Sequence, residues 1–166
     1  MKRPPTSTKH FKLWEFSSPG FPKRSNRVAV PAKLHSNVYR LMQELETIRE
    51  ALGGASVHVV SGYRTLIYNK QNKGRASKSL HLQAKAADIQ VRGKDGKRIS
   101  PARVYWVIKD LMNAGKIRAG GLAAYPTFVH YDTRGRPARW RKAPARPRQG
   151  LGALEVVALD ADGCEV

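Results

Sequence analysis

The sequence predicts an α+β domain, a small and mainly antiparallel sheet packed against two main helices. Three observations predict it. Leu34, Val38, Leu41, Leu45, Ile48 and Leu52 recur at intervals of three and four, the spacing of one buried helix face. A second stretch, residues 100–113, opens on Ser-Pro and sets Val104, Val107, Ile108 and Leu111 on one side. Short apolar runs at 57–60, 86–91 and 127–132 have the length of strands and are separated by glycine-, lysine- and proline-containing segments.

In chain order, residues 1–9 are polar and basic and are expected to form a disordered arm. Phe11, Trp14 and Phe16 are placed to anchor that arm to the domain. Residues 19–33 hold three prolines and many charges and read as a meandering loop. The first helix is expected over 33–52, stopped by Gly53 and Gly54. VHVV at 57–60 reads as a buried strand, with His58 on its less buried side and Gly62 as its breaker. The basic stretch 65–80 is a long loop, or a short helix and a loop. AADIQV at 86–91 is a strand with small residues where it packs closely, and GKDGKR is a turn. Gly115 ends the second helix, and GGLAAYP leads into the strand of TFVHYD. Trp140 is expected to close the core behind it. From 134 to 148 there are seven basic residues, three prolines and no acid, which predicts poor structure or surface attachment. Residues 151–159 suggest one more strand or a weakly docked tail. The expected domain is therefore 10–142, with 143–166 as a tail.

The length of 166 residues suits one domain, and 41% hydrophobic residues suffice for a core. The formal charge of +19 calls for a polyanionic neighbour, such as nucleic acid, an acidic membrane or an acidic wall polymer. The lone Cys164 rules out a disulfide framework or a cysteine zinc cluster within the chain. No apolar leader or membrane span is expected, so a role outside the cytoplasm calls for an exit route such as phage lysis. GxSxG, Walker and dinucleotide fingerprints are absent. Basic runs without interleaved aromatics, Trp140 apart, argue against specific nucleic-acid binding.

Two histidines and an aspartate carry the candidate chemistry. His81 and Asp88 lie seven residues apart, and His130 sits in the later strand. With thiolates absent, imidazole and carboxylate are the ligands zinc takes, and three of them leave a position open. The alternative makes His81 a loop residue and His130 a core residue. Asp88, entering an apolar strand, needs a partner in either case; a metal or an arginine would serve. Asp132 shares a face with His130 and is placed either to accept a proton or to orient that histidine. Arg64 is placed either to hold a substrate carboxylate or oxyanion, or to pair with Asp88 or Asp132. Ser61, Ser77 and Ser79 read as turn caps.

SGYRT, SKSLHLQAKAAD and GGLAAYPTFVHYDTRGRPARW together resemble the zinc D-Ala-D-Ala carboxypeptidase and peptidoglycan endopeptidase family, over about 10–140. The branch most similar is that of murein endopeptidases with a strand-borne His-x-Asp and a tryptophan soon after. The resemblance implies a fold like the hedgehog-type metallopeptidase domain and peptidoglycan peptides as substrate. It implies Zn2+ held by His81, Asp88 and His130, with Arg64 in the substrate cleft. Several relatives carry a glutamate base three residues before the third ligand. Thr127 stands there in this chain, so Asp132 is taken as the base, and another polar residue folding in from a loop would serve as well. The expected product is a monomeric hydrolase acting at the wall, the periplasm or outside the cell, with anionic wall polymers as a further partner. Two alternatives remain open: a carboxypeptidase that trims terminal D-Ala, and a non-catalytic wall-binding module stapled by zinc. An open cleft would favour cutting within a crosslink; a closed end with a second cation near Arg64 would favour the carboxypeptidase.

Overall fold

The computed structural model describes residues 4–20, 23, 25–71 and 74–148. The elements run α1 (His35–Ala51), β1 (Ser56–Ser61), α2 (Leu66–Lys70), β2 (Ala86–Arg92), β3 (Arg98–Ile99), α3 (Pro101–Asn113), β4 (Leu122–Ala124) and β5 (Val129–Asp132). Short 3-10 turns stand at Leu13–Phe16, Ala32–Leu34 and Leu80–Gln83. The sheet order is β1-β2-β5-β4, with β3 beside β2 and every pairing antiparallel. This is the expected α+β class with two main helices. Among the described residues no helix is long and apolar enough to cross a membrane.

Alternation along the strands divides the molecule. Ala87, Ile89 and Val91 of β2, Leu122 of β4, and Val129 and Tyr131 of β5 face the helices. They pack there with Val38, Leu41, Met42, Leu45 and Ile48 of α1 and with Val104, Tyr105 and Ile108 of α3. The intervening residues Asp88, His130 and Asp132 belong to the opposite face. Pairing sets Asp88 across from His130, and His130 across from Ala123. On β1 the register slips by one residue between Val59 and Ser61, and the slip brings Ser61 opposite Asp88.

Several expectations need amendment. The arm attaches before residue 10: Ser7 bridges Lys12, and the Thr8 hydroxyl donates to Glu46 at 2.7 Å. Phe11 and Phe16 are buried, but Trp14 is 66% exposed on the surface. LAA, read only as a glycine-rich approach, is the edge strand β4. Trp140 lies 46% exposed on the surface rather than behind the core. The basic stretch after β5 is tied to α3, where Trp106 Nε1 donates to the Pro144 carbonyl at 3.1 Å and Arg146 pairs with Asp110. Residues 151–159 and Cys164 lie outside the described residues.

Candidate metal centre

Three local devices bring distant residues to one point. Gly62 follows β1, where a Cβ would come within 2.7 Å of the Phe16 backbone, so only glycine allows this close approach. Its carbonyl accepts from His81 Nδ1 at 2.6 Å. His81 itself stands on the turn Leu80–Gln83, capped by Ser79, and Ala84 in the left-handed region (φ 52°) turns the chain into β2. Asp88 and His130 face each other across β2 and β5.

The atoms meet as a tight triangle. His130 Nδ1 lies 2.9 Å from Asp88 Oδ1, His81 Nε2 lies 3.3 Å from the same oxygen, and the two ring nitrogens are 3.3 Å apart. All three residues are buried, and together they can hold a metal ion. A tetrahedral ion with bonds of ~2.0–2.1 Å sets its ligands about 3.3 Å apart, so the spacing suits zinc.

Proton accounting gives an independent test of that fit. A neutral imidazole has one donor nitrogen and one lone pair. His81 Nδ1 faces a carbonyl oxygen, so it carries the proton and Nε2 presents its lone pair. His130 Nε2 faces Asp132 Oδ2 at 3.1 Å, so it donates there and Nδ1 presents its lone pair. Two nitrogen lone pairs and a carboxylate oxygen then point at one another with no proton between them. A cation satisfies all three; an extra proton on His130 satisfies that ring and Asp88.

The electrostatics agree. Burial depresses the His81 pKa and keeps that ring neutral. Burial would also depress His130, but its hydrogen bonds to Asp132 and Asp88 outweigh this and raise it. Asp88 is desolvated, yet the closeness of His81 and His130 holds its carboxyl far below the usual range. Arg64 Nη2 pairs with the other Asp88 oxygen at 2.5 Å, and Arg64 Nε donates to Ser61 Oγ at 2.9 Å. Ser61 thus serves Arg64 and caps no turn.

Asp132 is completely buried. Oδ1 accepts from Gly121 N at 2.9 Å and Arg134 Nε at 2.8 Å, and Oδ2 accepts from Arg134 Nη2 at 2.7 Å and from His130. Desolvation is overcome by His130, Arg134 and the Gly121 amide, and the carboxyl stays well below its ordinary pKa. A Cβ at Gly120 would lie 1.6 Å from the Asp132 carbonyl oxygen, and one at Gly121 2.2 Å from Oδ2. Gly120 thus admits the Asp132 backbone and Gly121 its carboxylate. Arg134 and the two glycines went unassigned in the sequence; a basic residue two beyond a strand-end acid, facing Gly-Gly, was the available signal. Trp140 sets its ring edge-on to His130 with centroids 4.9 Å apart, and its Nε1 donates to the Tyr125 hydroxyl at 3.1 Å. These two aromatic residues form the rim beside the triangle.

The sequence matches the peptidase M15 family over residues 14–132. It is also 31% identical over 117 residues to a Haemophilus influenzae protein described as a probable peptidoglycan L,D-endopeptidase, MepK. That alignment covers 67% of this chain and 55% of the relative, so the chain spans about half the length of the curated relative it matches. The matched segment contains the sheet, both main helices and all three residues of the triangle. The chain therefore belongs to the peptidase M15 family.

Proposed function

We propose that the chain is a zinc-dependent peptidoglycan hydrolase that cuts a peptide bond in the stem peptide or crossbridge. The observation that carries this reading is the convergence of three buried lone-pair atoms, from His81, Asp88 and His130, in a chain of a peptidase family. Two imidazoles and a carboxylate without thiolate favour zinc. Bound there, zinc supplies Lewis acidity, enough to polarise a carbonyl and to draw a nucleophile from water near neutral pH. The relative's description as a probable peptidoglycan L,D-endopeptidase supports the substrate class.

The chain's own residues prepare the site. The Gly62 carbonyl fixes the His81 tautomer and the Asp132 carboxylate fixes that of His130, so that both present the correct nitrogen. Arg64 holds one Asp88 oxygen and leaves the other for the metal. Asp132 and Arg64 are therefore assigned as positioning residues. Every face of Asp132 is already engaged, which argues against the base role expected of it. Arg64 likewise takes the pairing role rather than that of an oxyanion donor.

One observation favours a second reading, removal of a terminal residue that bears a free carboxylate. Arg75 stacks on Tyr68 at 4.7 Å, and its charge lies near enough to Arg64 to oppose it. Digestion of purified, defined peptidoglycan, with mass analysis of products, tests both. Zinc-dependent loss of crosslinked dimers, absent in His81→Ala, is the expected result. Release of free D-Ala selects the second reading. No product from any wall type, with zinc still bound, overturns the enzyme and leaves a binding module.

A further inference from the structure

A second cluster lies at the opposite end of β1 from the metal centre. Ser56 opens that strand and Ser61 closes it, a separation of ~16 Å at ordinary strand rise. A concave pocket there is lined by His10, Arg49, Gly54, Ser56 and Lys94. Gly54 has a positive φ of 71° and no Cβ. At the point where a Cβ would sit, Arg49 Nη1 and Lys94 Nζ each come within 3.8 Å. Two cationic heads therefore converge over one bare backbone position.

The nearby acids are committed elsewhere. Glu46, one turn before Arg49 on α1, accepts from the Thr8 hydroxyl, the His10 amide and His10 Nδ1, each at 2.7 Å. Asp95, beside Lys94, accepts from the Lys97 amide at 3.0 Å. Among the described residues neither Arg49 nor Lys94 has an ion pair or a side-chain hydrogen bond. The His10 ring, anchored on Glu46, and the exposed Ser56 hydroxyl complete the wall.

We propose that this pocket binds a phosphate group, presented by a phosphodiester-linked polymer of the cell wall. Guanidinium, ammonium and hydroxyl donors gathered on one pocket suit an anion with several acceptor oxygens better than a carboxylate with two. Phe11 is 1% exposed and offers no surface on which a base can stack, and the His10 ring is held by Glu46, which disfavours nucleic acid. The polymer's identity rests on the wall-directed reading above; the phosphate site does not. Occupied, it tethers the domain while the metal centre, on the far end of the same strand, remains open.

The test compares the intact protein with Arg49→Gln/Lys94→Gln and with Arg103→Gln/Lys116→Gln, a control of equal charge loss on exposed residues of the α3 region. Titration with inorganic phosphate, followed by amide NMR, should give saturable shifts at Gly54, Ser56 and Lys94. The pocket variant should bind at least tenfold more weakly and the control within twofold. Sacculi carrying their phosphodiester polymer should sediment the protein, and sacculi stripped of it by hydrofluoric acid should sediment much less. Equal losses in both variants, equal shifts with acetate, or undiminished binding to stripped sacculi would overturn the proposal. So would a single-stranded oligonucleotide that binds the pocket more tightly than the polymer. Cleavage of soluble crosslinked muropeptides, which carry no polymer, should be unchanged in the pocket variant. Failure of that cleavage in the intact protein would strike the hydrolase reading and leave the phosphate titration standing.

Discussion

Asp132 shows how one carboxylate can be worth more as a fixture than as a reagent. It spends one oxygen on Gly121 and Arg134 and the other on Arg134 and His130. Asp132→Asn should keep the shape, weaken zinc about 10–100-fold as loss of such an outer partner does, and leave secondary structure intact. Competition with a chromophoric chelator measures this, and unchanged affinity would return Asp132 to the role of base. Gly121→Ala forces a methyl to within 2.2 Å of the same carboxylate and should cost ~1–3 kcal/mol in urea unfolding. The pH dependence has two opposed parts. Asp88 and Asp132 titrate below their unfolded values, so their stabilisation is present above about pH 4. It is lost as pH falls through the still lower folded values. His130 titrates above its unfolded value, so in metal-free protein its contribution is full below ~6.5 and is lost as pH rises through the folded pKa. Zinc needs the deprotonated ring and reverses that second trend. Thermal melts with zinc and with chelator should therefore diverge as pH rises from 6 to 8; parallel curves would argue that no metal binds here. At this scale the sequence disclosed the chemistry-bearing types, His81, Asp88, His130, Asp132 and Arg64. It offered the pairings of Arg64 with Asp88 and of Asp132 with His130 as alternatives, and hid the Gly62 carbonyl and Arg134, which carry no distinctive local pattern.

Elements were legible in proportion to their periodicity. α1 was expected over 33–52 and runs His35–Ala51, because six apolar residues at helical spacing leave few alternatives. α3 begins where Ser-Pro placed it, with Ser100 Oγ accepting from the Arg103 amide. Ser100→Ala should cost about 1 kcal/mol in a denaturant melt. β4 escaped notice because Leu-Ala-Ala has no β-branched residue and no alternation; its conformation comes from pairing with β5. Trp140 misled for a related reason. A large aromatic soon after a strand reads as core, yet this one is placed by its hydrogen bond to Tyr125 and its edge contact with His130. The slip at Val59–Ser61 is also invisible to pattern reading, since it depends on which residue of β2 lies opposite.

Over the whole molecule, charge sets the behaviour. A formal +19 on 166 residues makes adhesion to any polyanion strongly dependent on ionic strength. Sedimentation with isolated wall should fall steeply between 50 and 500 mM salt, while hydrolysis of small soluble peptides should change little. A salt-insensitive adhesion would mean that specific contacts, not the overall field, hold the protein. The +19 was plain in the composition, but its focusing at Arg49 and Lys94 needed the fold, since 45 residues separate them.

The alternation of β2 and β5 carries a consequence for how such a chain can change. Ile89 and Val129 feed the interior while their immediate neighbours Asp88 and His130 build the metal centre. Scaffold and chemistry are therefore written on the same few strands, letter by letter, and an insertion there would exchange one for the other. Change that spares both has to enter elsewhere, in the connection between Thr65 and Ser79. What the domain binds could be altered there without rewriting either the interior or the metal centre.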